Sequence, residues 1–468
     1  MKKKKKVLGA PDEFSKEYSF TNALKKGDIF TRLSMLVMGA GNIARGQVVK
    51  GLLFLAIEIG FIYYMITTGI GCIASLPSLG DKKLEKVYNP ILDLYEYTKD
   101  YDRSILILLY GVATIIICLI FLCFLRGAVK SAYIAQVAHS KGRHVNSFWE
   151  DFKSLFNENL HKLLLTFPIL GVLVFTITPL IYMICMAFTD YDRNTALQFD
   201  PETFNLFDWV GFEAFKDVLS LNGDIGKQFW GVLGWTLIWA VLATFLNYIL
   251  GMILAIIINR KGTRLKGLWR FLFILSIAIP QFISLMLMSK LLGNPGPLNG
   301  VLQQAGIIDL PIPFFTDPMY ARITVVVVNL WVGIPFTMLQ VTGILQNIPA
   351  DLYEAAKVDG ANAVTQFFKI TLPYMLFVTA PYLVTTFTGN VNNFNVIYLL
   401  TGGGPSTNLA HSAGATDLLV TWLYKLTIDR RIYNTGAVIG IMTFVVLSIV
   451  SLVTYRNTGS YKDEEGFQ

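Results

Sequence analysis

The sequence has little charge and few of the side chains that usually carry catalysis. Only 15% of its 468 residues are charged, whereas soluble domains carry about 25%. Histidine and cysteine each occur four times, and neither recurs at the short spacing of a metal site. The cysteines lie in or beside apolar stretches, so we expect small buried side chains rather than a disulfide framework. A metalloenzyme and a disulfide scaffold are both unsupported.

The sequence also lacks a nucleotide-binding motif. It contains no Gly-x-x-x-x-Gly-Lys-Ser/Thr run, the kind of loop whose backbone cradles phosphates. The nearest segment, 223–227, has too few residues between its first glycine and its lysine. The net charge of +7 does not favour nucleic acid, because basic residues in an apolar chain usually mark cytoplasmic loops. The chain is therefore not expected to hydrolyse ATP itself.

Long apolar runs dominate the sequence instead. Hydrophobic residues make up 54% of the chain, and a membrane-spanning helix needs about 20 mostly apolar residues in a row. Stretches of this kind occur at 51–72, 104–125, 163–188, 229–258, 270–292, 321–345, 374–400 and 434–455. The sequence therefore predicts an all-α integral membrane protein with eight transmembrane helices.

Lysine and arginine are distributed unevenly between the two sides of these eight spans. With the N-terminus inside, the inside segments hold 26 of these residues and the outside segments hold 11. This ratio satisfies the positive-inside rule, which the reverse orientation would violate. Both termini are therefore expected in the cytoplasm. The lysine-rich start is expected to be an uncleaved cytoplasmic tail, because the first long apolar run begins only near Gly51.

Proline occurs in four of the last six spans and in neither of the first two. Later spans contain Pro168, Pro179, Pro280, Pro335 and Pro381, and a proline inside a helix removes a backbone hydrogen bond. Broken helices at membrane depth are tolerated where they line a cavity or pack on protein. The predicted segments are a cytoplasmic tail with an interfacial helix (1–50), a peripheral transmembrane pair (51–125), a cytoplasmic loop (126–162), a six-helix core (163–456) and a second cytoplasmic tail (457–468).

Two features of the N-terminal region allow more than one interpretation. Glu58 is an acid inside the first span, without a basic residue in that span. A hydrogen-bonded carboxyl group that faces a neighbouring helix is favoured there over a proton relay. Residues 28–46 mix apolar side chains with Arg32 and Arg45, a pattern typical of a helix on the inner membrane surface.

The loop between the sixth and seventh spans, 346–373, has the pattern of a short helix, a hinge and a second short helix. Pro349 and Asp351 suit the first turn of a helix. Gly360 suits the left-handed conformation that ends a helix. A second short segment then runs to Pro373, where the next span begins. The loop is therefore predicted to be ordered.

The side chains of this loop suit contact with another protein. Ala355 and Ala356 leave one side of the first helix nearly flat, so that a partner could approach closely. Glu354 is expected to offer a charge to a basic partner, and Tyr353 and Phe367 are expected to offer apolar contacts. The pattern predicts a docking element.

The order of residues in this loop resembles the EAA loop of ATP-binding-cassette importer permeases of the binding-protein-dependent family. The resemblance lies in a Glu-Ala-Ala run, an Asp-Gly pair and an Ile-x-Leu-Pro ending, with a span on either side. In that family the loop forms a coupling helix that sits in a cleft of the ATP-binding subunit. The resemblance thus assigns coupling to Glu354, Ala355, Ala356, Asp359, Gly360, Ile370, Leu372 and Pro373.

Over about 163–456 the chain is similar to the larger permease of maltose/maltodextrin importers, which also has two additional N-terminal spans. Positions 329, 333 and 336 share one helix face, and Asn390 and Asn393 share another. Amides suit sugar hydroxyls, and an aromatic ring suits the apolar face of a pyranose. By resemblance the substrate-lining residues are Asn329, Val332, Gly333, Phe336, Asn390 and Asn393. The alternative is that these asparagines only hold helices together.

Two features depart from this resemblance. Gly389 stands where those permeases have an aromatic residue, which is expected to change the shape of the pocket. The loop between the third and fourth spans has about 40 residues, too few for the folded domain that some of those permeases carry there. Docking of an external binding protein is therefore expected to use small loops.

The resemblance implies a transport subunit rather than an enzyme, located in the bacterial cell (inner) membrane. It implies half of a pore for maltodextrin-type oligosaccharides that works by alternating access. The implied partners are a second homologous permease, two ATPase subunits that bind ATP and Mg, and a lipid-anchored or periplasmic sugar-binding protein. This chain is expected to contact membrane lipid and to bind no cofactor, metal or nucleic acid itself.

Three alternatives stay open at this point. One is an importer for another neutral solute or a different sugar. A second is an ion-coupled secondary transporter, which needs paired intramembrane charges. A third is a multi-span membrane enzyme, which needs a cluster of His, Asp or Glu near the membrane face.

Overall fold

The apolar runs form helices in the computed structural model. It describes residues 18–90, 93–97, 100–192, 206–260, 262–407 and 413–456. The predicted C-terminal tail and the beginning of the predicted N-terminal tail lie outside these residues. The chain divides into two units, Met1–Val210 and Gly211–Gln468.

The first unit consists of helices and one small hairpin. Its helices are α1 (Phe20–Lys26), α2 (Ile29–Leu33), α3 (Ala40–Ile43), α4 (Val48–Tyr64), α5 (Ile70–Ser75), α6 (Ser104–Ser140), α7 (Phe148–Ser154), α8 (Leu160–Val172) and α9 (Thr178–Met186). A π turn joins α4 to α5 and another joins α8 to α9, so each pair forms one continuous helix. Strands β1 (Lys86–Asn89) and β2 (Leu94–Tyr97) are antiparallel, with Lys86 opposite Tyr97.

Helix α6 is longer than the predicted span 104–125. Its 37 residues extend about 55 Å, whereas the hydrocarbon core of a bilayer is about 30 Å thick. Its last turns pack against α1 through a cluster that includes Tyr18, Ala23, Val129 and Tyr133. The first part of the predicted loop 126–162 is therefore helical, because apolar residues continue along this side of α6.

The segment 28–46 is not one helix, because Gly39 interrupts it with φ of +87°. A Cβ added to Gly39 would lie 2.7 Å from the Cα of Gly51, so the close approach also requires glycine. Glu58 is buried and accepts a 2.7 Å hydrogen bond from the backbone N–H of Met38. This agrees with the favoured interpretation of Glu58 as a hydrogen-bonded residue.

The second unit contains the two most buried spans of the described chain, each 44% buried in its most apolar window. The helices of this unit are α10 (Glu213–Leu219), α11 (Asp224–Asn259), α12 (Lys266–Ala278), α13 (Gln281–Leu291), α14 (Pro297–Gln304), α15 (Pro318–Leu345), α16 (Ala350–Val358), α17 (Ala363–Gln366), α18 (Leu372–Val391), α19 (Phe394–Thr401), α20 (Leu419–Tyr424) and α21 (Tyr433–Arg456). Buried side chains of α11 and α15 form the centre of the unit, among them Trp239, Met252, Val328 and Met338.

Proline affects the spans to different degrees. Pro280 separates α12 from α13, and the two helices meet at 87°. Pro335 and Pro381 instead lie inside α15 and α18, which continue through them. Among the described residues, seven helices are long and apolar enough to cross a membrane. The bent pair α12–α13 supplies the eighth predicted span only if it is counted as one span.

Candidate functional site

The end of helix α16 fixes the shape of the segment 346–373. Gly360 follows the helix with φ of +80°. Its N–H donates to the Lys357 carbonyl at 3.1 Å, and the N–H of Ala361 donates to the Ala356 carbonyl at 2.8 Å. These two bonds form a Schellman motif, which needs a left-handed residue at this position. A Cβ at Gly360 would meet open space, so backbone conformation rather than crowding demands glycine here.

The second half of the segment is tied to the first. Asn362 begins α17 by accepting a hydrogen bond from the Thr365 N–H at 2.8 Å. A π turn follows and ends at Thr371, whose hydroxyl lies 2.9 Å from the Tyr353 hydroxyl. This side-chain bond holds α16 to the start of α18.

The two aromatic side chains that were predicted to contact a partner pack against this chain instead. Tyr353 and Phe367 are half-buried and pack against the cluster that contains Met338 and Met375. The prediction that they project from the segment was wrong, because the ends of the spanning helices provide an apolar surface that covers them. The exposed large apolar side chains of the segment are Leu352, Val358, Val364 and Phe368.

The eight residues that match the EAA loop differ in their exposure to solvent. Glu354, Ala355, Asp359 and Gly360 are exposed, and Pro373 is exposed in the first turn of α18. The other three matching residues are half-buried, namely Ala356, Ile370 and Leu372. The exposed part presents carboxylates beside a flat alanine surface. This arrangement suits a basic partner cleft.

All six residues predicted to face a substrate line one cavity of the second unit. The cavity has a volume of about 240 Å³, and α11, α15 and α18 provide most of its lining. Its lining consists of Ala243, Thr244, Asn247, Tyr248, Gln281, Asn329, Val332, Gly333, Phe336, Thr337, Tyr382, Leu383, Thr386, Asn390 and Asn393. None of these described residues is ionised at neutral pH.

Asn390 and Asn393 do not share a helix face, contrary to the prediction. Helix α18 ends at Val391, and Asn393 begins α19 by accepting from the Val396 N–H at 3.3 Å. The Asn393 Nδ2 donates to the Asn390 Oδ1 at 3.4 Å, and the Asn390 Nδ2 donates to the Thr244 hydroxyl at 3.0 Å. Asparagine side chains compete with the backbone for hydrogen bonds and so favour such a helix end. The break between the helices brings the two amides together.

Helices α11 and α15 approach each other closely at this cavity. A Cβ added to Gly333 would lie 2.6 Å from the Asn247 Oδ1. The Asn247 Nδ2 donates to the Ala243 carbonyl at 2.7 Å. The Asn247 Oδ1 and the Asn329 Nδ2 are buried without a hydrogen-bond partner in the described chain. A buried unpaired polar group costs about 1–3 kcal/mol, so both atoms favour a polar ligand in the cavity.

Several lining residues were missed by the sequence analysis. Tyr382, Thr386 and Asn390 are four residues apart on α18, so helical spacing could have identified the first two. Tyr248 is buried, and its hydroxyl lies 2.7 Å from the Thr379 hydroxyl. No local signal in the sequence indicates Tyr248, because its position depends on the packing of α11 against α18.

Gly389 does not line this cavity. It is exposed, and a Cβ added there would meet no atom within 4 Å. The aromatic rings of the lining come instead from Tyr248, Phe336 and Tyr382. The expected effect of Gly389 on the pocket stays a prediction.

The glycine-rich run 402–404 closes against a buried acid. A Cβ added to Gly403 would lie 1.8 Å from the Asp417 Oδ1, so only glycine allows this approach. Asp417 accepts hydrogen bonds from the Gly414 N–H at 2.7 Å and from the Lys425 Nζ at 2.6 Å. Burial raises the pKa of Asp417 above its ordinary value, and the nearby Lys425 ammonium opposes this shift without cancelling it.

Comparison with known proteins gives a consistent assignment. Residues 247–458 match the family described as "Binding-protein-dependent transport system inner membrane component". The chain is 32% identical over 459 residues to the maltodextrin transport system permease protein MdxF of Bacillus subtilis, covering 96% of this chain and 99% of that protein. It is 34% identical over 366 residues to the galactooligosaccharides transport system permease protein GanP of the same organism, covering 78% and 85% respectively.

Solved structures support the same fold. A chain of a bacterial ABC transporter involved in the import of the acidic polysaccharide alginate matches with a TM-score of 0.53 at 23% identity. The match covers 65% of this chain and 96% of that chain, and it concerns the fold alone. The chain thus belongs to the family of binding-protein-dependent transport system inner membrane components, and it is a multi-pass permease subunit of an ATP-binding-cassette importer rather than an enzyme.

Proposed function

We propose that this chain forms half of the translocation pore of an importer for neutral, maltodextrin-type oligosaccharides. The observation that carries the proposal is the cavity lined by α11, α15 and α18, which contains every predicted substrate-facing residue. Its described lining offers amides, hydroxyls and aromatic rings without an ionised side chain. The relative MdxF, named as a maltodextrin permease, is matched over almost its whole length.

The cavity offers both kinds of contact that a sugar requires. The Asn329 Nδ2 and the Asn247 Oδ1 are buried and unpaired within the described chain, and rotation of these amides toward the cavity would let the first donate to a sugar hydroxyl and the second accept from one. Phe336 is 49% exposed and offers its ring to the apolar face of a pyranose. A hydroxylated ligand offsets the cost of the unpaired amides, whereas a hydrocarbon does not.

The amide groups of Asn390 and Asn393 serve two purposes in this proposal. Asn390 and Thr244 join α18 to α11, as the alternative interpretation of these asparagines predicted. Each amide nitrogen has two hydrogens, and one is used in the bond described above. The second hydrogen of each amide remains for the sugar.

The segment 346–373 couples this pore to a separate ATPase subunit. Its Schellman motif and the Tyr353–Thr371 bond fix the angle between α16 and the start of α18. The exposed Glu354 and the flat surface at Ala355 face away from this core. When ATP-driven closure moves α16, α18 moves with it, and the cavity beside α18 changes its access.

The proposal requires partners that this chain does not supply. They are a second homologous permease, two ATPase subunits that bind ATP and Mg, and an external sugar-binding protein that is lipid-anchored or periplasmic. In this arrangement both termini and the segment 346–373 lie in the cytoplasm. The first two spans form a peripheral pair, and 163–456 forms the permease core.

Transport by the reconstituted complex tests the sugar site. Phe336→Ala combined with Asn393→Ala removes a ring and an amide, and we expect uptake to fall about tenfold to a hundredfold. Asn395→Ala is the matched control, because Asn395 is exposed on α19 and does not line the cavity. Unchanged rate and specificity in the double variant, with normal assembly, would assign these residues a structural role only.

A second candidate substrate has its own support. The relative GanP is 34% identical to this chain and is named as a galactooligosaccharide permease. Galactooligosaccharides are also neutral and hydroxylated, so the uncharged cavity suits them equally. Uptake of labelled maltodextrin in competition with unlabelled galactooligosaccharide separates the two. We expect weak competition, and complete competition at equal concentration would favour the second candidate.

A further inference from the structure

A second cavity lies in the first unit, where α4 begins and the last turns of α6 follow its spanning part. We call it the lysine cavity, because Lys50 and Lys130 both line it. Its volume is about 270 Å³, and Ser131 and His144 also contribute to its lining. None of these residues has a role in the proposed transport mechanism.

The depth of the lysine cavity matches the headgroup layer of a bilayer. Lys130 lies 26 positions after Ser104, the first residue of α6, which corresponds to about 39 Å along the helix. The hydrocarbon core is about 30 Å thick, and the whole bilayer with headgroups is about 40–45 Å thick. Lys50 is the third residue of α4. Both ammonium groups therefore lie near one membrane surface, which the charge distribution predicts to be cytoplasmic.

The lining of the lysine cavity has more positive than negative charge. Asp151 is its acidic member, and the Asp151 Oδ2 lies 2.6 Å from the Lys50 Nζ. Lys130 adds a second cation to the lining. The Ser131 hydroxyl accepts from the Asn42 Nδ2 at 2.9 Å, which leaves its own hydrogen to donate. Cations and a hydroxyl donor at one site suit a phosphate group.

Exposed apolar side chains occur on the elements next to this cavity. In the segment of α2 and α3, whose Asn42 bonds to the lining, Ile29 is 82% exposed and Leu36 is 77% exposed. Trp149 of α7 and Phe156 just after that helix are also exposed. The span Val48–Ser75, whose third residue lines the cavity, is only 11% buried in its most apolar window, so this chain leaves most of the apolar surface of that span uncovered.

We propose that the lysine cavity binds the phosphate-bearing headgroup of an anionic phospholipid of the inner leaflet. The two ammonium groups and the Ser131 hydroxyl contact the phosphate. The acyl chains lie along α4 and beside the exposed side chains of α2 and α7. A phospholipid fits better than a protein partner, because cationic side chains at headgroup depth lie beside a span whose apolar surface this chain leaves exposed.

Lipid retention by the purified importer complex tests this proposal. The complex is delipidated, mixed with equal amounts of phosphatidylglycerol and phosphatidylcholine, and analysed for bound lipid by native mass spectrometry. We expect the wild type to retain phosphatidylglycerol preferentially. Lys50→Gln with Lys130→Gln is expected to lower this preference about thirtyfold, the effect of removing two surface cations.

Two control variants separate charge from folding. Lys50→Arg with Lys130→Arg keeps both charges and is expected to keep the preference. Lys216→Gln removes an exposed lysine of α10, outside the lysine cavity, and is expected to change nothing. An unchanged preference in the double glutamine variant overturns the proposal. If that variant does not assemble, Leu36→Asp tests the same site, and full retention of phosphatidylglycerol by it overturns the proposal.

Excess inorganic phosphate distinguishes a lipid from a free anion. We expect it to leave phosphatidylglycerol bound, because the acyl chains are held beside the headgroup. Complete release of the lipid by phosphate would show a site for a free anion and would overturn the assignment to a phospholipid. Because this test measures bound lipid, its result is independent of the proposed sugar substrate.

Discussion

The two functional regions of the second unit are built in opposite ways. The segment 346–373 is exposed and carries charge, and backbone hydrogen bonds around Gly360 set its shape. The cavity is partly buried and uncharged, and side-chain amides such as Asn247 and Asn390 set its shape. Under the proposed function, force transmission relies on a fixed backbone, whereas recognition of a neutral ligand relies on polar atoms that protein groups leave unpaired.

The largest expected effect comes from breaking the fixed backbone of the segment. Gly360→Val places a β-branched residue at φ of +80°, at a cost of about 1–3 kcal/mol that the chain avoids by unwinding the end of α16. We expect ATP-driven uptake to fall at least a hundredfold while the complex still assembles. ATPase activity and uptake in proteoliposomes measure this loss of coupling.

Gly306→Val is a matched control for this variant. Gly306 also has a positive φ of +70° and open space around it. It ends α14 in the same motif: the Gly306 N–H donates to the Gln303 carbonyl, and the Ile307 N–H donates to the Leu302 carbonyl. We expect this control to lower stability by a similar amount and to leave coupling intact. Equal loss of uptake in both variants would mean that Gly360 matters for folding alone.

The next largest effect comes from placing a charge in the uncharged cavity. Asn329→Asp keeps the size of the side chain but adds a buried negative charge, at about 2.5–3.5 kcal/mol in a membrane helix. We expect uptake of neutral sugar to fall about a hundredfold at neutral pH. Asn395→Asp, on the exposed surface of α19, serves as the control. Full activity of Asn329→Asp would show that the cavity does not carry the substrate.

The buried ion pair of Asp417 with Lys425, outside the cavity, provides a charged site to compare with the uncharged cavity. Lys425→Met leaves the Asp417 carboxylate buried without its partner, which is expected to lower the free energy of unfolding by about 3–5 kcal/mol at neutral pH. The pKa of Asp417 is already raised in the folded state. The contribution of Asp417 to stability is therefore greatest below the ordinary aspartate pKa of 3.8 and falls as pH rises through the pKa of the folded state.

Thermal unfolding of the Lys425→Met complex at several pH values measures this dependence. The variant is expected to approach wild-type stability as the pH falls, because a protonated carboxyl group needs no cation. Asp417→Asn with Lys425→Met is the control, and its stability is expected to change less with pH. A pH-independent loss in Lys425→Met would contradict the account of this pair.

The smallest effect is expected from the link between the two halves of the segment. Tyr353→Phe removes the hydrogen bond to Thr371 but keeps the packed ring, and a bond of this kind contributes about 0.5–1.5 kcal/mol. We expect a small loss of thermal stability and a several-fold loss of coupling. Tyr320→Phe, on an exposed residue of α15, provides the control. Equal thermal stability and equal coupling in the two variants would show that this bond does not contribute to coupling.

Local patterns explain what the sequence could predict. Apolar runs gave the spans because hydrophobic length alone determines whether a helix can cross a bilayer. Gly360 was predictable as a helix end because the left-handed conformation is a local requirement. The six cavity residues, among them Asn329 and Phe336, were identified by resemblance and helical spacing together, and the structure brings all six to one place.

Packing between distant parts of the chain explains what could not be predicted. The burial of Tyr353 depends partly on the end of α11, which is remote in sequence. The contact of Asn247 with Gly333 joins two spans, and neither residue indicates the other in the sequence. The break after Val391 replaced an expected continuous helix, because the Asn393 side chain bonds to Asn390 and to the backbone of Val396.

Cross-linking tests most directly whether the segment 346–373 contacts the ATPase. Glu354→Cys is introduced into a chain whose four native cysteines are replaced by serine, with Val301→Cys on α14 as the control for the opposite predicted side. Both positions are exposed. The account predicts that Glu354→Cys cross-links to the ATPase subunit in a nucleotide-dependent manner, while Val301→Cys does not. Absence of this cross-link, or labelling of position 354 by a membrane-impermeant reagent from outside, would contradict the central claim.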